Sequence, residues 1–266
     1  MPTEPVTSTA PSPLAPATGG RPRRPPREWL LLLTLAAIQF THVVDFMIMM
    51  PLGPQLMRLF EIGPAGFSTL VSAYTFAAAA SGFVAAFWID RHDRKRSLLL
   101  LYLGFIAATV LCGVAPSFEA LLAARVAAGA FGGVIGALVL AIVADAVPYA
   151  RRAQATAIVG AAFALSSIAG VPLGLWLAAR YSWRAPFLAV AAASVVVGLV
   201  AARVLPVMNA HVAAGHRRHP LEQLRAIFGV RNHRRAFALM VTLTFAGFTV
   251  IPFIAPYNVA NVGLAE

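Results

Sequence analysis

The sequence predicts an all-α protein that crosses a bilayer several times, and three observations predict it. Hydrophobic residues are 59% of the 266 residues and charged residues 12%, about half the charge a soluble domain carries. The apolar residues fall into about seven runs, each near the roughly 20 residues that a helix needs to span hydrocarbon. Most of the arginines lie between those runs, and among spanning structures a helix pairs its backbone polar groups within a single segment.

The runs predict spans at Trp29–Met50, Gly66–Ile89, Ser97–Val114, Phe118–Val143, Gln154–Leu177, Pro186–Val204 and Ala236–Val259. Connections between the first six are short, and several carry proline, as at Pro51, Pro54, Pro64, Pro116 and Pro148. Residues 1–28 are rich in Pro, Thr, Ser and Arg with almost no large apolar side chains, a composition that cannot pay the entropy of folding. They form the first of four segments: a tail at 1–28, a six-helix domain at 29–205, a basic linker at 206–235 and a seventh span at 236–266. In the linker Pro220, Leu221, Leu224, Ile227 and Phe228 have helical spacing, which fits a short interfacial helix; a disordered basic loop fits the same residues.

Charge orients the bundle. With the N-terminus in the cytoplasm, the inside receives Arg21, Arg23, Arg24 and Arg27, then Arg91, Arg94, Lys95 and Arg96. It also receives Arg151, Arg152, Arg203 and the arginines from Arg217 to Arg235, while the outside receives Arg58, Arg180 and Arg184. That asymmetry predicts a multi-pass protein of a bacterial-type plasma (inner) membrane with its N-terminus inside. It also accounts for the net charge of +11 without a nucleic-acid partner.

Several chemistries are excluded. The single cysteine, Cys112, permits no internal disulfide, and the single lysine, Lys95, lies in a loop, so a retinal pump with its last-helix lysine does not fit. No metal spacing, partnered nucleophile or phosphate loop is found, and no enzymatic activity is expected.

Four motifs carry a function. The loop after the second span reads Ala86-Phe-Trp88-Ile-Asp90-Arg91-His92-Asp93-Arg94-Lys95-Arg96. Helix four contains Arg125-x-x-x-Gly129-x-x-x-Gly133, and helix five contains Gly170-Val-Pro172-Leu-Gly174. Helix six opens Trp183-Arg184-Ala-Pro186-Phe187. In order and spacing these resemble the major facilitator superfamily: its G-x-L-x-D-R-x-G-R-K/R loop, the R-x-x-x-G-x-x-x-G element of proton-driven members, the G-x-P-x-G form of the antiporter element, and W-R-x-x-F. The loop departs at Ala86, Trp88 and Asp93 and keeps Asp90, Arg91, Arg94 and Lys95. Each motif also has an ordinary reading, as a topology anchor, as glycine packing or as a proline kink.

The resemblance implies a six-helix N-terminal bundle of two inverted three-helix repeats plus a seventh helix, in the drug and sugar efflux (arabinose efflux permease-like) branch. It implies a proton antiporter of small molecules such as drugs or sugars, working by alternating access. A proton gradient supplies the energy, no cofactor is needed, and the partners are the substrate and the lipid bilayer. The loop residues Asp90, Arg91, Arg94 and Lys95, with Asp145 reaching Arg94 or Arg91, form the conformational switch. Because members have two such bundles, a missing C-terminal half is expected; a fragment that transports nothing, or a seven-helix receptor or scaffold, are the alternatives.

Asp45 is the carboxylate deepest in a predicted span, about 16 residues or roughly 24 Å in from Trp29. Arg125 lies at similar depth in helix four, and a charge inside a span needs a partner or a water-filled cavity. The two are expected to pair facing a central cavity, with Asp45 carrying the coupling proton; a permanent pair that only fixes packing is the other reading. His42, three residues before Asp45, shares its helix face and either relays the proton or simply hydrogen-bonds its neighbour. Phe46, Met49, Tyr74, Phe131 and Tyr257 are candidates to line a cavity for a lipophilic substrate.

Overall fold

The computed structural model describes residues 26–89, 92–208, 225 and 228–257. Among them regular structure is helical: α1 (Pro26–Ile48), α2 (Gly53–Leu59), α3 (Pro64–Trp88), α4 (Arg94–Val114), α5 (Phe118–Ala146), α6 (Tyr149–Leu165), α7 (Val171–Arg180), α8 (Ala185–Val204) and α9 (Arg231–Tyr257). Among the described residues six helices are long and apolar enough to cross a membrane: α1, α3, α4, α5, the continuous α6–α7 rod and α8. Their ends follow local chemistry. Ser117 caps α5 by accepting from the Ala120 N–H at 3.3 Å, and Asp93 caps α4 by accepting from the Arg96 N–H at 2.8 Å. Prolines open α2, α3 and α8, where their missing N–H costs no bond.

The proline-rich connection Pro51–Pro54 leads into α2. That short helix ends when Glu61 takes a left-handed conformation (φ 53°) and Ile62 N–H donates back to the Met57 carbonyl at 3.0 Å, the bond pattern of a helix-terminating turn. The interfacial helix expected around residues 220–228 falls largely outside the described residues.

Helix packing repeats with an internal symmetry. α3 packs on α5, α5 on α4, α4 on α8, α8 on α1, and α1 on the α6–α7 rod. Exchanging the first three spans (α1, α3, α4) for the last three (α5, α6–α7, α8) maps this neighbour list onto itself, as two inverted three-helix repeats require. The two symmetry-related crossings are also built alike, each from glycines four residues apart. A Cβ on Gly129 would strike the Tyr74 backbone, and one on Gly133 would lie 2.5 Å from Ala78 Cβ. On the other side, a Cβ on Gly170 would strike Val44 and one on Gly174 would strike Ile48. Bare glycine backbone thus admits α3 and α1 at close range.

The α6–α7 rod is not uniform. Its turn Ser166–Gly170 is wound wide, with the Val171 N–H bonded to the Ser166 carbonyl five residues back. Pro172 causes this: its ring has no N–H and collides with the carbonyl four residues earlier, and one extra residue in the turn relieves the collision. Ser166 then bonds across to the Phe40 carbonyl at 3.2 Å, tying the widened turn to α1.

Two apolar clusters fill the bundle. One gathers Leu32, Leu35, Ile38, Leu98, Phe105, Leu138 and Ile142 near the arginine-rich end. The other gathers Ile48, Leu52, Leu56, Phe67, Leu121, Trp183 and Phe187 toward the opposite end. Outside, Phe76, Phe83, Val84 and Ile168 are exposed. The last helix, α9, starts with the polar turn Arg231–Arg235 and has α2 as its neighbour; nearly all of its described side chains are exposed.

The glycine contacts make a direct test. Gly129→Ala forces a methyl into the α3 backbone, and overpacking of this kind costs about 1–3 kcal/mol. Gly136→Ala, whose new methyl would meet nothing nearer than 3.7 Å, leaves stability unchanged. Thermal melts of the two variants in detergent, followed by circular dichroism, should separate by several degrees.

Candidate functional site

Between the two apolar clusters lies a buried ion pair. Arg125 of α5 and Asp45 of α1 meet at 2.9 Å between Nη1 and Oδ2, with side chains 1% and 0% exposed. The same guanidinium nitrogen also donates to the Asp45 backbone carbonyl at 3.2 Å. The Tyr74 ring of α3 covers the guanidinium, 4.3 Å from its carbon to the ring centre, in the range where an aromatic face attracts a cation. Phe46 lies against Tyr74 with ring centres 5.2 Å apart. Thr109 of α4, itself buried, adjoins the carboxylate.

Local sequence explains this assembly. Gly129 stands one turn after Arg125, and its lack of a side chain lets α3 approach at Tyr74. The same glycine that closes the helix crossing therefore brings the aromatic ring over the arginine. Tyr74 was visible in the sequence only as a candidate for the cavity wall; the glycine four residues from a buried arginine was the available signal that a neighbouring side chain would cap it.

The pair does not face an open cavity, contrary to the sequence expectation. Tyr74, Thr109 and the close α3–α5 crossing enclose it within the six-helix bundle. Such burial is costly for two ions and is sustained only where their remaining hydrogen-bonding groups are met. Here Asp45 Oδ1 and Arg125 Nε have no hydrogen-bond partner among the described residues.

His42 does not hydrogen-bond its neighbour, one of the two roles expected from the sequence. Neither ring nitrogen hydrogen-bonds Asp45 or any other described residue, although both are buried. Asp45 turns its carboxylate to Arg125 on α5, while the imidazole lies against α5 further along, at Gly136. Three of the five cavity-wall candidates converge, Phe46 and Phe131 packing against the cluster that contains Tyr74, whereas Met49 is packed in a different apolar cluster and Tyr257 is exposed on α9.

At the arginine-rich end, Arg94 Nε bonds Asp145 Oδ2 at 2.7 Å, joining the start of α4 to the end of α5. Lys95 is half-buried in the first turn of α4, and Asp90 and Arg91 lie outside the described residues. Glu28 of α1 pairs with Arg151 of α6 at 2.8 Å. Asp93, which occupies a glycine position of the loop motif, has a task the sequence did not disclose. Besides capping α4, its Oδ2 accepts the Met208 N–H at 2.8 Å, and the Arg94 N–H donates to the Met208 carbonyl at 3.2 Å. The chain leaving α8 is thereby fastened to the loop that carries Arg94.

Comparison with known proteins agrees with this architecture. An uncharacterized MFS-type transporter of Bacillus subtilis, YceJ, is 32% identical over 180 residues, covering 68% of this chain and 45% of that protein. A bacterial homolog of the human lysosomal transporter Spinster, solved inward-facing and unoccupied, superposes with a TM-score of 0.71 at 22% identity, covering 91% of this chain and 58% of the other. The inward-open xylose transporter XylE from E. coli gives a TM-score of 0.61 at 12% identity, covering 84% and 56%. The chain thus spans about half the length of the relatives it matches. The sequence profile of the Major Facilitator Superfamily matches residues 35–265, and with the six-span bundle and its two inverted repeats in place, the chain belongs to that superfamily.

Proposed function

We propose that this chain supplies the first six-helix bundle, with its tail, linker and seventh helix, of a proton-coupled exporter of small molecules. The one observation that carries the reading is the Asp45–Arg125 pair. Among the described residues Asp45 is the single buried acidic side chain, and an ionisable pair held within a membrane bundle marks an ion pathway. Asp45 is the coupling group: it is charged while bound to Arg125 and neutral once it takes a proton and releases the guanidinium. The released Arg125 remains over Tyr74, so protonation alters the α1–α5 contact without expelling a charge into lipid.

Alternation between states uses the arginine-rich end. Arg94 and Asp145, with Asp90, Arg91 and Lys95 in the same loop, hold that end closed in one state. Asp145 is 39% exposed, so water competes for the pair and the latch is weak enough to open. The facing wall of the transport path comes from a second bundle, and the arginine-rich end lies on the cytoplasmic side of a bacterial-type inner membrane. Drug-like and sugar substrates are the classes that the motifs of helices four and five favour.

The coupling reading is tested in everted vesicles containing this chain together with the second bundle that completes the path, with a pH-sensitive dye and a panel of sugars and lipophilic drugs. Wild type releases protons on substrate addition, and Asp45→Asn abolishes the response with the protein still inserted. Full coupling in Asp45→Asn would reduce the pair to a packing element, and silence of the wild type across the panel would count against efflux.

Two stability outcomes accompany this. Arg125→Leu strands the Asp45 carboxyl in the bundle, a loss of about 3–5 kcal/mol if it stays charged, and its melting temperature should recover at low pH as the carboxyl is neutralised. Asp145→Asn removes a partly exposed pair worth at most ~1 kcal/mol; its melt stays near wild type while labelling of a cysteine introduced at the arginine-rich end rises.

A further inference from the structure

Asp45 has neighbours on its own helix that the ion pair does not use. Gln39, His42 and Asp45 follow one another at three-residue spacing on α1, about 9 Å of helix in total, with successive side chains about 60° apart around the axis. Gln39 Oε1, His42 Nδ1, His42 Nε2 and Asp45 Oδ1 are all buried, and none has a hydrogen-bond partner among the described residues. Four such atoms in one stripe are unusual, since buried polar atoms are nearly always bonded to protein or to ordered water. Ile38, Val43 and Val44 beside the stripe are buried, and Gln39 and His42 are themselves half-buried. Space exists as well: at Gly136 of α5 a methyl group would sit 3.7 Å from His42 Nε2, so the glycine leaves about the volume of one water beside the ring.

We propose that Gln39, His42 and Asp45 form a water-bridged proton track along α1, with His42 taking the proton that Asp45 releases. The proposal rests on Asp45 being the coupling group and assigns the route by which it exchanges protons. Asp45 Oδ1 gives its proton to a bridging water, and that water passes one of its own protons to the lone pair of a neutral ring nitrogen on His42. The products are a carboxylate, held by Arg125, and an imidazolium; one proton has moved and no electrons are exchanged. The imidazolium then releases the proton from its other nitrogen to a second water. The Gln39 amide oxygen holds that water by accepting its hydrogen bond and is not itself protonated. The track thus leads from Asp45 toward the N-terminal end of α1.

Other groups around α1 do not supply this route. The titratable and charged side chains buried on the helices around it are Arg125 of α5, Tyr74 of α3, and Tyr102, Cys112 and Arg94 of α4. Tyr102 is engaged with Thr41 at 2.7 Å, Arg94 with Asp145 at 2.7 Å, and Arg125 with Asp45 itself. From α6–α7 and α8 the buried polar side chains are the non-titrating Ser166 and Ser194.

The test uses the full 266-residue chain reconstituted in liposomes, with a caged-proton pH jump followed by time-resolved infrared absorption of the protonated carboxyl. Loss of one titrating band in Asp45→Asn assigns that band to Asp45. His42→Gln, which keeps hydrogen bonding but cannot carry a proton, should slow the rise of the band by roughly tenfold or more. Gly136→Ala, which fills the water site with a methyl in ordinary van der Waals contact with the ring, should slow it in the same direction with helicity and melting unchanged. If no titrating band disappears in Asp45→Asn, the coupling reading fails and the track fails with it. If the band is present and rises at the wild-type rate in both His42→Gln and Gly136→Ala, the track alone is overturned.

Discussion

Everything in this bundle is arranged around one constraint: two opposite charges held away from bulk water. Asp45 and Arg125 are individually among the costliest groups to place inside a membrane span. Their mutual contact, the Tyr74 ring and the backbone carbonyl of Asp45 together replace hydration. That replacement demands close register among α1, α3, α4 and α5, because a shift of one turn moves a side chain by about 5 Å. Gly129 is the hinge of the arrangement, since α3 reaches the arginine only where α5 has no side chain.

The same small-residue device appears twice, once in each repeat-related crossing, and the two uses serve different ends. At Gly129 and Gly133 it brings an aromatic ring over a cation. At Gly170 and Gly174 it seats Val44 and Ile48 of α1 against a rod already widened by Pro172. A wide turn next to a proline is a place where a helix can bend without losing many bonds. The helix that carries Asp45 is therefore held against a deformable rod, while the helix that carries Arg125 is held by a close crossing with α3.

At the arginine-rich end the loop departs from its superfamily pattern in a way the structure makes sense of. A glycine at the position of Asp93 would leave α4 without its side-chain cap and Met208 without its acceptor. With aspartate there, the segment leaving α8 is tied to the backbone of Arg94, so the linker and the Arg94–Asp145 pair belong to one connected patch. Such main-chain ties are invisible to pattern reading, because Met208 offers only its backbone and any residue but proline would do as well.

How much was legible in advance differed by level. The spans were, because a bilayer imposes one length and one polarity on every helix; α1, α4, α5 and α8 begin or end within a few residues of the apolar runs. The short α2 was not, since seven residues rich in proline and glycine carry no usable periodicity. The depth of Asp45 and Arg125 could be computed from helical rise, and the structure brings them to 2.9 Å. Their enclosure could not, because it depends on Tyr74, on another helix and 51 positions before Arg125 in the chain. His42 shows the limit most directly: spacing placed it on the face of Asp45, yet the direction of each side chain was set by what α5 offered, a guanidinium to one and a bare glycine to the other. By itself, then, the sequence determined the number, length and order of the spans and which residues share a depth, all consequences of one-dimensional polarity and helical rise. Which buried groups meet, which are covered and which are left without a partner was decided only by tertiary packing, because those outcomes depend on distances between helices, and those distances are set by single side chains far apart in the chain.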